Sequence, residues 1–405
     1  MNIENLLEKT LTNPQYEAIR MLGDQFHKMG IRAFLVGGTV RDLLLEREVS
    51  DIDIIVESDP SKLLNKFEPQ YQLDVISNSQ FNTCKIKFLN QIVDLAMARK
   101  EVYPASGALP EVTSASIEDD LGRRDFSINS LAACINPSNW GEVLDLHKGL
   151  EDLHSKQVRI LHSESFKNDP TRIFRCMRYS GRLGFSIENE TQTQLLHDIT
   201  DINLLSGVRI TNELVKIFSE KSLNSILDLM DQFEVSRHIH SGFPKGSGFP
   251  KRKKLLKNIR IPTLEFPLCV LISLIEADHR MDLIKRLDLG NKLAKFGADL
   301  NRIELIAADS SRSEIYKQLT DVSEITISVA KAYASKELRN NLDLFVNELK
   351  AINLCIDGED LINIGIPQGP KIGNILAKIL EDMIDSGQQS KSDQIRMAKK
   401  LLCDS

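Results

Sequence analysis

No apolar run in the 405-residue chain approaches the about 18 residues that a membrane-spanning helix needs. The first residues, Met-Asn-Ile-Glu-Asn-Leu-Leu-Glu-Lys, are too acidic and polar for a signal peptide, so a cytoplasmic protein without membrane partners is expected. Six cysteines lie far apart, at Cys84, Cys134, Cys176, Cys269, Cys355 and Cys403, with no metal-type spacing. They read as reduced, mostly buried thiols. There is no excess of positive charge; the net charge of −6 disfavours an unspecific nucleic-acid coat protein but leaves room for a local basic face. The chain lacks a Gly-x-x-x-x-Gly-Lys-Ser/Thr loop and a nucleophile elbow, which removes the commonest NTPase class and the matching hydrolase chemistry. His197-Asp198, His238 and His240 stand without the further ligands a metal site wants. What remains is ordinary in amount, 42% hydrophobic and 27% charged, enough for two to four domains with real cores.

Residues 34–57 carry the strongest signal. Phe34 to Val36 reads as a short strand, Gly37-Gly38 as a turn, Thr39 as the opening of a helix, and a second strand carries Asp51 and Asp53. Paired glycines let backbone approach a bulky anion, and the helix start after them favours phosphate. Asp51 and Asp53 are two apart in a strand, so both carboxylates leave the same face. Such a pair calls for a cation, and Mg²⁺ is commonly held by one or two carboxylates plus substrate phosphates. A solvated strand edge is the plain alternative.

The first 30 residues look helical, with Pro14 near a helix start and Ile19, Leu22, Phe26 and Met29 at helical spacing. Thr83 to Phe88 and Gln91 to Ala96 alternate as a hairpin around Leu89-Asn90. Asp94 lies in its second strand, either as a third carboxylate of a two-metal site or as an ordinary strand-face acid. Residues 99–118 show little periodicity and contain Pro104 and Pro110, so they read as a long loop. Arg123, Arg124 and Asp125 follow in an apolar setting, where guanidinium groups suit triphosphate oxygens and Asp125 suits a ribose hydroxyl; a surface ion pair is the other option.

Asp169-Pro170 starts a helix on which Arg172, Arg175 and Arg178 recur every three residues, opposite Ile173, Phe174 and Met177. The arginine arc either faces acids and phosphates or is a solvated stripe. Residues 241–251 repeat Ser-Gly-Phe-Pro-Lys and run into Lys251-Arg252-Lys253-Lys254, a basic linker equally suited to RNA backbone or to solvent. From about 255 onward the pattern is helical throughout.

The stretch Gly37-Gly38-Thr39-Val40-Arg41-Asp42 followed by Asp51-Ile52-Asp53 resembles the signature of the tRNA nucleotidyltransferase and poly(A) polymerase family, and most closely its class II bacterial CCA-adding members. Arg123-Arg124-Asp125-Phe126-Ser127-Ile128-Asn129-Ser130 resembles the family's Arg-Arg-Asp-Phe-Thr-x-Asn-Ala, with serines for Thr and Ala. Asn168-Asp169-x-x-Arg172 resembles its Glu-Asp-x-x-Arg, with Asn168 in place of Glu. Gly207-Val208-Arg209 to Glu213 resembles a motif that braces the neck helices, and Gly358 to Gly373 one near the C-terminal end.

The resemblance implies an α+β protein: a polymerase-β-like head over residues 1–150, a helical neck over 151–240, a linker over 241–255 and an all-α body and tail over 256–405. It implies addition of CMP and AMP from CTP and ATP to the 3′ end of tRNA, with Asp51 and Asp53 holding Mg²⁺ and Asp94 orienting the attacking hydroxyl. Gly37, Gly38 and Arg41 would cradle the triphosphate, and Arg124, Asp125 and Asn129 would engage phosphate and ribose. Asp169 and Arg172 would read the base edge, while Arg175 and Arg178 would bind phosphate or brace that pair. The tail would hold tRNA. Addition of A alone, of C-C alone, or of a poly(A) tail are sibling activities.

Overall fold

A computed structural model describes residues 1–67, 73–79, 83–387 and 390–403. The chain divides into two compact units, Met1–Ser241 and Gly242–Ser405.

The first unit opens on two helices, α1 (Glu4–Thr10) and α2 (Asn13–Lys28). Thr12 and Gln15 form a capping box at the start of α2, and Pro14 occupies its first turn, which is why the N-terminal helical stretch breaks there. A seven-stranded sheet follows, built from β1 (Ala33–Val36), β2 (Ile52–Val56), β3 (Leu73–Ser79), β4 (Thr83–Phe88), β5 (Gln91–Met97), β8 (Leu131–Cys134) and β9 (Val143–Asp145), in the order β3-β4-β5-β2-β1-β8-β9. Only β2 and β5 pair in parallel. Leu89 and Asn90 both have positive φ, so the β4–β5 hairpin is the tight two-residue turn expected. Helix α3 (Gly38–Leu44) follows β1, and α4 (Pro60–Leu64) follows β2.

Side-chain alternation sorts the two faces of the sheet. On β2, Ile52, Ile54 and Val56 point one way, while Asp53 and Ile55 point the other. Ile55 joins Phe34, Val36, Ala132 and Cys134 in an apolar layer covered by Ile117 and Leu121 of α5 (Ile117–Gly122). Asp53 therefore prolongs a buried apolar face, and this is what takes its carboxylate partly out of water.

Residues 99–118 differ from the loop expected. Strands β6 (Arg99–Val102) and β7 (Glu111–Ser114) pair antiparallel as a separate ribbon with a tip over residues 103–110. The short Arg-Lys-Glu-Val and Glu-Val-Thr-Ser segments escape notice because the more buried positions of the first are the charged Arg99 and Glu101 while Val102 is exposed, and the pairing is with each other rather than with the main sheet.

Helices α6 (Gly149–Ser155), α7 (Ser165–Asn168), α8 (Thr171–Leu183), α9 (Asn189–Asp198), α10 (Gly207–Ser219), α11 (Leu223–Gln232) and α12 (Val235–Ile239) complete the unit. Ile173, Phe174 and Met177 of α8 are fully buried. In the second unit the described elements are helical, from Gly248–Leu256 to Lys391–Cys403. The first of these helices lies inside the basic stretch expected as a linker, because Phe249 and Leu256, one helical face apart, are both buried. A separate apolar cluster of Ile356, Leu361, Ile366, Ile379 and Ala398 binds the last helices together. Among the described residues no helix is long and apolar enough to cross a membrane. The α+β order expected, a mixed-sheet head followed by helices, is the order found.

Candidate active site

A cavity of about 460 Å³ opens between the head sheet and α8, entirely within the first unit. Gly37, Gly38, Asp53, Arg124, Asp125, Asn129, Asp169, Arg172 and Arg175 line it, so nine of the residues singled out in the sequence meet there. Gly37 has a positive φ of 60°, and a Cβ on it would come within 2.7 Å of Arg124 Nη1, so two separate requirements demand glycine.

Asp51 lies just ahead of β2 and is exposed, while Asp53 is half-buried inside the strand. Thr39 fixes their pitch. Its Oγ1 donates to Asp51 O and accepts from Asp53 N, each at 3.0 Å. Asp94 of β5 is the direct cross-strand partner of Asp53, so its side chain leaves the same face of the sheet. Burial first, then the neighbouring Asp94 carboxylate, push the Asp53 carboxyl up to about 6, against the opposing pull of Arg124. Around Asp53 itself, burial and the neighbouring acids outweigh the pull of Arg124 and Lys85. Among the described residues no three His, Cys, Asp or Glu side chains gather closely enough to enclose an ion by themselves. Two carboxylates with the remaining ligands from phosphate and water is nevertheless a usual Mg²⁺ set, and the hard oxygen donors of Asp51 and Asp53 fit it.

A line of polar side chains forms the cavity floor. Arg41 is buried at 2% exposure, donating from Nη1 to Asn129 Oδ1 at 2.6 Å and from Nε and Nη2 to Asp42. Asn129 Nδ2 donates to Asp125 Oδ1, and Arg175 reaches Asp125 Oδ2 through Nε at 2.7 Å and Nη2 at 2.6 Å. Burial would raise the Asp125 carboxyl, but Arg175 and Asn129 hold it down at about 2. Arg41 is therefore not a lining residue, contrary to expectation. Its guanidinium is consumed beneath the site, where it orients Asn129. Arg178 also lies off the lining, 3.7 Å from Glu213 and 3.9 Å from Glu220, because the next helical turn swings it toward α10. The arginine arc is not a solvated stripe: each of its members is partnered.

The opposite wall carries Asp169 and Arg172. Asp169 Oδ1 accepts from Thr171 N at 3.0 Å, Thr171 Oγ1 at 2.6 Å and Arg209 Nη2 at 2.7 Å. It caps the start of α8 with one oxygen, and Oδ2 accepts no hydrogen bond from the described residues. Arg172, 4% exposed, donates from Nη1 to Ser165 Oγ at 2.7 Å and from Nη2 to Arg123 O at 2.6 Å. Both groups are held firmly at the cavity edge.

Several contributors were not singled out in the sequence. Asp120 receives Arg123 and Arg124 from positions three and four residues ahead of them, a helical spacing that was readable. Glu101, on the ribbon, accepts from Arg99, Arg123 and Tyr103. Tyr179 has the guanidinium groups of Arg41, Arg175 and Arg178 over its ring at 5.2, 5.6 and 5.2 Å. Arg209, expected only to brace helices, donates to Asp169 and also to Gly107 O at 2.7 Å. It thereby ties the ribbon tip to the wall that carries Asp169. Ser106 Oγ adds donations to Lys167 O and Asp201, so the tip is docked on the helices beside the cavity.

Residues 33–159 match the poly(A) polymerase head domain family, and residues 184–245 match the family described as "Probable RNA and SrmB-binding site of polymerase A". An A-adding tRNA nucleotidyltransferase of Geobacter sulfurreducens is 30% identical over 98% of the chain, which spans about half (48%) of that relative's length. An A-adding tRNA nucleotidyltransferase of Halalkalibacterium halodurans is 27% identical over 98% of the chain and 95% of the relative. The structure of a CCA-adding enzyme in an apo form superposes with a TM-score of 0.71 at 28% identity, covering 100% of this chain and 99% of the other. With Gly37-Gly38, Asp53 and Arg123-Arg124-Asp125 gathered at one cavity in a matching head, the chain belongs to the tRNA nucleotidyltransferase and poly(A) polymerase family.

Proposed function

We propose that this protein adds CMP and AMP from CTP and ATP to the 3′ end of tRNA without a nucleic-acid template, completing C-C-A. One observation carries the reading: a single cavity is lined by Gly37, Gly38, Asp53 and Arg124 and also by Asp169 and Arg172, with Asp51 two residues before Asp53 at the head of the same strand. That is the layout a nucleoside triphosphate requires, with phosphates toward the acids and base toward the fixed donor and acceptor. Arg124 and Arg175, anchored on Asp120 and Asp125, supply positive charge at the lining for phosphate oxygens. Asp169 Oδ2 can accept from an exocyclic amino group, which cytosine and adenine carry and uracil lacks. Asp51 and Asp53 would hold Mg²⁺, which when bound supplies charge for the displacement of pyrophosphate by the ribose hydroxyl. Asp94, on the neighbouring strand, orients that hydroxyl and accepts its proton.

A second reading, addition of the terminal A alone, is favoured by the docked ribbon tip. Arg209 joins Gly107 O to Asp169, an arrangement that fixes the base-side wall in one position. The two A-adding relatives named above agree with it.

The test is incorporation of labelled CTP and ATP, separately and together, into tail-less tRNA, tRNA ending in C-C and a plain oligonucleotide. Extension of the tail-less tRNA to C-C-A supports the first reading; ATP incorporation into C-C-ended tRNA alone supports the second. Equal extension of the plain oligonucleotide by ATP would instead indicate a poly(A) polymerase. Asp53→Ala should lower incorporation by about a hundredfold or more, and near-normal turnover of that variant would refute the site.

A further inference from the structure

Lys85 stands in the middle of β4, directly opposite Asp94 of β5, and Asp94 stands directly opposite Asp53 of β2. The three side chains form one row across three strands, on the face that carries the cavity. Lys85 Nζ lies 3.1 Å from Asp94 Oδ2, with both side chains 43% exposed. A pair so open to water adds little to stability. Nor does the strand need it for packing, since Cys84 and Ile86 supply the buried face of β4. The notable fact is its address: a cation paired with the third carboxylate of the row that Asp53 and Asp94 share.

We propose that Lys85 is a positioning residue of this carboxylate row, holding Asp94 in the metal-free protein and yielding it when a divalent cation binds at Asp51 and Asp53. The inference rests on the metal reading given under the proposed function. Three neighbouring carboxylates repel one another without a cation, and the ammonium neutralises the outermost of them. When a divalent ion arrives, the same ammonium becomes a like charge beside it. Lys85 therefore sets a ceiling on cation affinity, so that the ion is retained best when triphosphate oxygens complete its ligands. The charge is what acts, so arginine should replace lysine and methionine should not.

The experiment is a titration of Mn²⁺ into the full-length protein without nucleotide, reading free Mn²⁺ by electron paramagnetic resonance. Wild type, Lys85→Met, Lys85→Arg and Asp53→Asn are compared. Removing a unit charge next to a divalent-ion site at moderate salt should tighten binding roughly threefold to tenfold in Lys85→Met. Lys85→Arg should match wild type, and Asp53→Asn should bind more weakly. The rise in thermal midpoint on adding Mn²⁺ should also be larger for Lys85→Met than for wild type. Equal or weaker binding in Lys85→Met, with Asp53→Asn still weakened, overturns the role of Lys85 and leaves the metal reading intact. Wild-type binding that Asp53→Asn does not change overturns both.

Discussion

Asp53 concentrates the residue-scale physics of this protein. It belongs to a strand face that is otherwise apolar, and the proposed function asks it to hold a cation. Folding raises its carboxyl from the ordinary 3.8 to about 6, first by burial and then by the Asp94 charge. In the metal-free protein the folded state thus holds a proton that the unfolded state has released between about pH 4 and 6, so stability falls as pH rises through that window. The full penalty stands above pH 6 and amounts to about 2 kcal/mol after allowance for partial solvent access. Asp53→Asn, measured by thermal unfolding in EDTA, should therefore be more stable than wild type at pH 8 and equal to it near pH 4. Identical midpoints at pH 8 would show that the carboxylate is not strained by its surroundings. At this scale the spacing did bring residues together: Gly37, Asp53, Arg124 and Asp169 line one cavity, while Asp51 stands exposed just ahead of the strand and is not in the lining. Arg41 and Arg178 lie off the cavity lining for one reason. A helical arc says which residues share a side, but not which turn of the helix overlooks a cavity and which overlooks a neighbouring helix.

At the scale of elements, the β6–β7 ribbon is the feature that periodicity missed, and its tip is joined through Arg209 to Asp169. Its strands pair only with each other, and its tip is held by backbone oxygens and single hydroxyls: Gly107 O to Arg209, and Ser106 Oγ to Lys167 O and Asp201. Contacts of that kind have no pattern in a sequence, because any residue can offer a carbonyl. Gly107 does leave one trace. Its φ of 71° strains any larger residue, and Leu204 Cβ, 3.2 Å from a would-be Cβ, would have to give way. Gly107→Val should lift the tip and break the Arg209 bridge to the base-side wall. The expected result is faster proteolytic cleavage within residues 103–110 and a weaker preference between ATP and CTP, with a stability change below about 1 kcal/mol because no core is touched. A variant with wild-type cleavage and wild-type preference would show that the docked tip has no part in selection.

At the scale of the whole molecule, every residue lining the cavity lies between Gly37 and Tyr179, inside the unit that ends at Ser241. The second unit has its own apolar clusters and shares none of this lining. What it offers instead is exposed positive charge, with Lys251, Lys254, Lys257 and Arg260 solvent-facing on and after its first helix. The chain is acidic overall, so such a local patch is where an RNA backbone would find counter-charge. Nucleotide binding and tRNA binding should then separate by truncation. A fragment comprising residues 1–241 should fold, shown by its circular dichroism, and bind ATP with the affinity of the full chain. Its KM for tRNA should rise about tenfold or more, with a shallower salt dependence, as phosphate contacts are lost. A folded fragment that cannot bind ATP would mean that residues 242–405 shape the cavity from outside its lining. An unchanged KM for tRNA would leave the head and neck as the whole RNA-binding surface and the basic helix as a solvated one.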